Sequence, residues 1–291
     1  MIPEDVAPAC AIPSPAAPVN LVIFGGTGDL AVRKIFPALA SLCRSQLLSH
    51  DSRIIAVGRK DLGRERYLNQ IEEKLTGSIP PACLSDLRAR LDYLAMDPDV
   101  PGSAQILAAH LAQLDASGPR NRLYYLAVPP AAYIPLSTNL GQANLGAETG
   151  GRSVRIVVEK PFGRDLLSAR ELDAVLHQYF EERQIFRIDH YMAKETVQNV
   201  LLLRFANALL EPLWNRRYID HIRITAAETL GIGHRAGFYD QTGVLRDMFQ
   251  NHMMMLLALC AMEPPSLFEA ELVREERSKV YPALRPFDLE H

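Results

Sequence analysis

Cysteine is scarce in this chain. Its 291 residues hold four, Cys10, Cys43, Cys83 and Cys260, and no two are spaced C-x-x-C. That scatter excludes a thiolate metal centre and a disulfide framework, and it fits a reducing compartment. No run approaches the 18 apolar residues that a membrane helix needs. Charge of one sign is also missing: 31 Lys and Arg against 34 Asp and Glu leave a net charge of −3. This balance gives no electrostatic case for nucleic acid or an anionic membrane surface as partner. The opening stretch "MIPEDVAPACAIPSPAAPVN" lacks both the basic start and the apolar centre of a signal peptide, so residues 1–18 are expected to be a disordered tail. At the other end, Leu289-Glu290-His291 is consistent with the start of a vector-encoded histidine tag.

What is present is 48% hydrophobic and 22% charged residues, enough for a substantial core. Short apolar runs alternate with helical patterns. Strands are expected at "LVIF" (21–24), "RIIAVG" (53–58), "LDYLAM" (91–96), "RLYYLAV" (122–128), "VRIVVE" (154–159) and "QIFRID" (184–189). Helices are expected between them, at 32–48, 64–75, 103–116 and 166–180, with Pro37 kinking or restarting the first. The alternation implies an α/β fold: a Rossmann-type doubly wound parallel sheet over 19–190. The pattern then changes. A long helix from 193 to 210, a strand at 219–228, a Gly-rich loop at 231–237 and a helix over 244–262 read as a partial α+β domain spanning 191–291.

The first strand runs into "FGGTGDLA", whose glycines are spaced differently from the usual G-x-G-x-x-G fingerprint. Gly25, Gly26 and Gly28 can supply positive φ, and a loop without side chains lets backbone N–H groups approach a pyrophosphate at the next helix. Ala31 is small enough for close strand–helix packing, and Asp29 could cap the helix or face the ligand. The second strand ends in Gly58-Arg59-Lys60 instead of an acidic residue. A guanidinium there suits the 2′-phosphate of NADP, whereas a carboxylate would suit the ribose hydroxyl of NAD. The bland alternative is two solvated basic side chains in a loop; NADP is the better reading.

Three more stretches, "VVEKPFG" (157–163), "RIDHYMAKETVQN" (187–199) and "GVLRDMFQNHMM" (243–254), resemble the signature segments of glucose-6-phosphate dehydrogenases. "FGGTGDLAVRKIFPAL" and "LYYLAVPP" are similar to that family's cofactor loop and mid-domain strand, and the likeness runs from about Asn20 to Met262. The resemblance implies a cytoplasmic enzyme that oxidises glucose 6-phosphate at C1, passing hydride to NADP or, in some members, NAD. It makes His252 the base and Asp189 its hydrogen-bond partner, a pairing that fixes the imidazole tautomer. Seen alone, His252 on a Met-rich helix reads as a core histidine.

The same resemblance assigns His190, Tyr191 and Lys194 to the substrate phosphate. His190 and Lys194 would share a helical face if the helix begins early enough. Glu228 and Asp247 are assigned to the sugar hydroxyls, and Lys160 lies close to both substrate and nicotinamide, with Pro161 setting a turn or a cis bond. The cofactor loop comprises Gly25, Gly26, Thr27, Gly28, Asp29 and Leu30. No metal is implied. Family members are considerably longer, and their later region supplies most of a large antiparallel sheet and the dimer interface. Three readings therefore stand side by side: a minimal active enzyme, an NADP-binding protein with little or no turnover, and a dehydrogenase of another sugar phosphate. Homo-oligomer formation is left open.

Overall fold

The structure, a computed structural model, describes residues 16–116, 118–227, 240 and 242–285. The chain divides into two compact units, Met1–Ile188 and Asp189–His291.

The first unit is built on six strands: β1 (Val19–Phe24), β2 (Arg53–Gly58), β3 (Leu91–Ala95), β4 (Asn121–Leu126), β5 (Val154–Val158) and β6 (Ile185–Arg187). They form one sheet in the order β3-β2-β1-β4-β5-β6, and every pairing is parallel. The central strands are continuous apolar runs because helices cover both faces. Alternate residues feed two cores. Val22, Phe24, Ile55, Val57 and Tyr124 pack with Leu107, Leu136 and Leu176 on one face. Leu21, Ile23, Ile54 and Ala56 pack with Phe36, Leu39, Tyr67 and Leu87 on the other. The strand order reverses between β1 and β4, which leaves a crevice beyond their carboxyl ends.

The helices of this unit are α1 (Phe36–Arg44), α2 (Arg64–Leu75), α3 (Pro81–Arg90), α4 (Ala104–Asp115), α5 (Tyr133–Gln142) and α6 (Leu166–Tyr179). The first helix does not restart at Pro37: the chain is helical from residue 29, widens into a π turn over residues 31–35 and runs on without a break as α1 from Phe36. The widened turn just before the proline is where the helix accommodates its missing N–H and its ring. Helices α3 and α5 were not expected. Both carry breakers that hide them, Pro80-Pro81 at the start of one and Pro135 and Gly141 inside the other. Pro135 sits in the first turn, and Gly141 is required by packing, since a Cβ there would lie 2.1 Å or less from the Tyr179 ring of α6.

The second unit contains α7 (Glu195–Phe205), a π-helical segment (Leu245–Met253), α8 (Met254–Ala261) and α9 (Ala270–Val280). Val197, Ala258, Leu259, Met262 and Val280 form its core. Arg204 is buried in it and donates to the carbonyls of Leu259 at 2.6 Å and Met262 at 2.8 Å, closing the end of α8. Two expectations are corrected. The helix expected over 193–210 starts at Glu195 and stops at Phe205, where Asn207 turns the chain by accepting from the Leu209 amide. The strand expected at 219–228 is not formed in its described part. Residues 219–227 pair with no strand, and the Ile219 amide bonds back to Asn215 in a turn. The glycine loop at 231–237 lies outside the described residues.

Candidate functional site

In the first unit the glycine loop closes on itself before any ligand is considered. The Gly25 and Gly26 amides both donate to the Val57 carbonyl at 3.0 Å, and Gly28 donates to Gly25 at 2.8 Å. Gly25 has φ +81°, and a Cβ on it would lie 2.2 Å from the Ala127 carbonyl oxygen. A Cβ on Gly26 would lie 2.6 Å from that of Ala56. The loop therefore hugs β2 and the end of β4, and any larger residue would push it into the crevice. What it leaves is a cavity of about 390 Å³, walled by Gly25, Thr27, Gly28, Gly58 and Arg59 on one side and by Met96, Pro98, Ala127 and Pro129 on others.

Of the residues expected at a cofactor, Gly25, Thr27, Gly28 and Arg59 line that cavity. Gly26 holds the loop against β2. Asp29 does not cap the helix; its exposed carboxylate pairs with Arg33 at 2.8 Å. Leu30 and Lys60 are exposed. Lys160 is half-buried after β5, and its bond to Pro161 is cis.

In the second unit, Asp189, His190, Tyr191, Lys194 and His252 come together. His252 is 1% exposed and its Nδ1 lies 2.6 Å from Asp189 Oδ1. That oxygen also accepts the Tyr191 amide at 2.9 Å, so the carboxylate is fixed by its own turn. The Tyr191 ring stacks on His252 with centroids 4.1 Å apart, and the His190 ring meets His252 edge-on at 4.7 Å. Lys194 Nζ sits 3.6 Å from the centre of the Tyr191 ring, a cation–π contact. Two imidazoles thus lie beside one carboxylate, with an ammonium over the adjoining Tyr191 ring, an arrangement that suits an anionic ligand beside a proton acceptor. His190 and Lys194 do not share a helical face: α7 starts only at Glu195, and both residues lie in the turn before it.

His252 and Asp247 lie on the π-helical segment, whose buried residues are these two. In an α-helix, residues five apart point about 140° from each other. The i→i+5 bonding of a π-helix widens the turn and brings them to one face. Asn251 supports the widened turn by donating to the Arg246 carbonyl at 2.7 Å. Glu228 lies outside the described residues. Donor atoms of Asp189, His190 and His252 fall within 4.8 Å of one another, but a cation there would have to displace the His252–Asp189 bond.

Residues 22–199 match the family model "Glucose-6-phosphate dehydrogenase, NAD binding domain", and residues 201–291 match that of its C-terminal domain. The chain belongs to the glucose-6-phosphate dehydrogenase family. It is 45% identical over 284 residues to the glucose-6-phosphate 1-dehydrogenase of Mycolicibacterium smegmatis, a match covering 96% of this chain and 57% of that protein. The corresponding enzyme of Treponema pallidum is 43% identical, with 93% of this chain and 54% of that protein covered. A solved glucose-6-phosphate dehydrogenase in complex with glucose 6-phosphate superposes with a TM-score of 0.84 at 35% identity, covering 96% of this chain and 58% of that one. The chain thus spans little more than half the length of these relatives.

Within this family member, four tyrosines support the crevice region that motif reading passed over. Tyr125 and Tyr133 donate to the Glu159 carboxylate and carbonyl, bracing the residue before Lys160. Tyr67 donates to the Gly26 carbonyl at 2.7 Å, and Tyr93 to that of Lys60. The signal for them was available: each is an aromatic with one polar atom in a buried or half-buried apolar setting, where the hydroxyl must find a partner.

Proposed function

We propose that this protein oxidises glucose 6-phosphate at C1 to 6-phosphogluconolactone, the first step of the oxidative pentose phosphate pathway, in the cytoplasm. The observation that carries this reading is the buried His252–Asp189 pair set among His190, Tyr191 and Lys194. The nucleotide-binding and substrate regions are assigned to residues 19–190 and 191–291.

Asp189 accepts the Nδ1 proton of His252, which leaves Nε2 as the basic nitrogen. Nε2 takes the proton from the sugar O1 hydroxyl as the C1–O1 double bond forms and the C1 hydrogen departs with its electron pair. NADP, when bound, supplies the acceptor for that hydride; NAD is the alternative. Asp189 then stabilises the imidazolium. His190, Tyr191 and Lys194 hold the 6-phosphate; Asp247 and Glu228 bind sugar hydroxyls, and Lys160 serves both substrate and nicotinamide. A dinucleotide suits the crevice because Gly25, whose Cβ would strike the Ala127 carbonyl oxygen, lets the loop lie back against the end of β4 and leaves the cavity clear. Thr27, Gly28, Asp29 and Leu30 lead into a helix start suited to phosphate, and Arg59 with Lys60 suits the 2′-phosphate.

The test is nicotinamide absorbance with NADP and glucose 6-phosphate, for the parent and His252→Asn. Turnover lost on substitution supports the reading. Calorimetric NADP binding without turnover by the parent would favour a binding protein. Turnover with a different phosphosugar alone would favour another dehydrogenase.

A further inference from the structure

Behind the nucleotide crevice, Tyr67 of α2 and Tyr93 of β3 stack with ring centroids 4.3 Å apart and planes 21° from parallel. Both are buried. Their hydroxyls diverge to two different segments. Tyr67 donates to the carbonyl of Gly26, in the glycine loop. Tyr93 donates to the carbonyl of Lys60, in the basic turn that follows β2. Burial pushes both phenols above their ordinary range, so each stays protonated and remains a donor through neutral pH. The contact is tight: a Cβ on Gly58 would come within 2.7 Å of the Tyr93 oxygen.

The two anchored segments carry different parts of the crevice. The Gly26 peptide belongs to the loop that would face a pyrophosphate. The Lys60 carbonyl belongs to the exposed Arg59-Lys60 turn. Long basic side chains on an unanchored turn would lose much conformational freedom on gripping a phosphate. A hydrogen bond to the Lys60 carbonyl fixes the peptide plane from which the turn departs.

We infer that Tyr93 is a positioning residue for recognition of the adenosine 2′-phosphate and Tyr67 one for the pyrophosphate loop, two hydroxyls on one stack that set the two affinities separately. This inference rests on the NADP reading of the crevice. Neither residue touches the dinucleotide; each acts through the backbone it holds.

Calorimetric titration of the full chain with NADP and with NAD tests it, using the parent, Tyr93→Phe and Tyr67→Phe. Losing one hydrogen bond of ordinary strength corresponds to roughly a fivefold change in affinity. Tyr93→Phe is expected to weaken NADP by about that factor while leaving NAD within about twofold. Tyr67→Phe is expected to weaken both alike. A merely structural tyrosine would lower the melting temperature without moving the NADP/NAD ratio. Both variants delete one atom and keep the stack. Tyr93→His, which keeps a ring but not the reach, provides a second variant with the same expected shift in ratio. An unchanged ratio in the Tyr93 variants overturns the inference and leaves the crevice reading standing. A parent that binds neither nucleotide, or binds NADP no more tightly than NAD, overturns both.

Discussion

His252 and Asp189 are 63 residues apart in sequence, and their side chains meet at 2.6 Å. The carboxylate is held by the Tyr191 amide and the imidazole by the stacked Tyr191 ring, so one turn fixes both partners. His252→Asn removes the proposed base and is expected to lower kcat by about two to four orders of magnitude. Asp189→Asn keeps the shape but removes the charge that favours the imidazolium. The acidic limb of the kcat/KM profile should then move to lower pH as well as the rate falling. Initial rates measured against pH for the parent and both variants check this.

Gly25 and Gly63 provide a matched pair of glycine positions. Both have positive φ, +81° and +67°. A Cβ on Gly63 meets nothing within 4 Å, whereas on Gly25 it meets the Ala127 carbonyl oxygen at 2.2 Å. Gly63→Ala should cost only the backbone strain of its φ 67°, ψ 151° conformation, about 1–3 kcal/mol. Gly25→Ala should cost about 3 kcal/mol or more, because backbone must also shift. It should also abolish nucleotide binding. Urea unfolding and an NADP titration on each variant read the two effects.

The sheet was legible because parallel strands buried on both faces write themselves as short apolar runs. "RIIAVG" marks β2 residue for residue, and "RERYLNQIEEKL" marks α2 likewise. Helices α3 and α5 were not legible, because the prolines and glycine that suggest breaks there sit in first turns or under Tyr179. The histidine–aspartate pair came from motif likeness, since an isolated His on an apolar helix reads as core. The π turn that brings Asp247 and His252 to one face carries no signal in side-chain spacing. The strand expected at 219–228 is absent from its described part, 219–227, for a different reason. Alternating apolar residues permit a strand, but only a partner ladder makes one.

Arg204 tests how the second unit is held. Burial lowers its pKa from the ordinary range, yet its guanidinium holds the Leu259 carbonyl of α8 and the Met262 carbonyl just after it, and lies 5.2 Å from the Trp214 ring centre. Arg204→Met keeps the apolar stem and leaves the Leu259 and Met262 carbonyls without this donor. The expected cost is about 2–4 kcal/mol. Limited proteolysis should show earlier cleavage within residues 189–285. Nucleotide affinity should hold, because every residue lining the crevice belongs to the first unit.

Glu148 ties the start of β5 to the rest of the sheet and makes the first unit acid-sensitive. Its carboxylate accepts from the Val154 amide at 2.9 Å, from Arg183 at 2.6 Å and from Arg155. These contacts, the amide foremost, lower its pKa from 4.5 to about 2. A depressed carboxylate stabilises the fold above its unfolded pKa, and that contribution is lost as pH falls through the folded value. The window is therefore about pH 4.5 down to 2. Arg183 is about half exposed, and solvent screening reduces the contribution to about 1–2 kcal/mol. Glu148→Gln should be less stable than the parent by that amount at pH 7, and the difference should shrink steadily below pH 4.5. Urea unfolding midpoints of both proteins between pH 7 and pH 3 measure it, and a difference independent of pH would assign the loss to packing instead of charge.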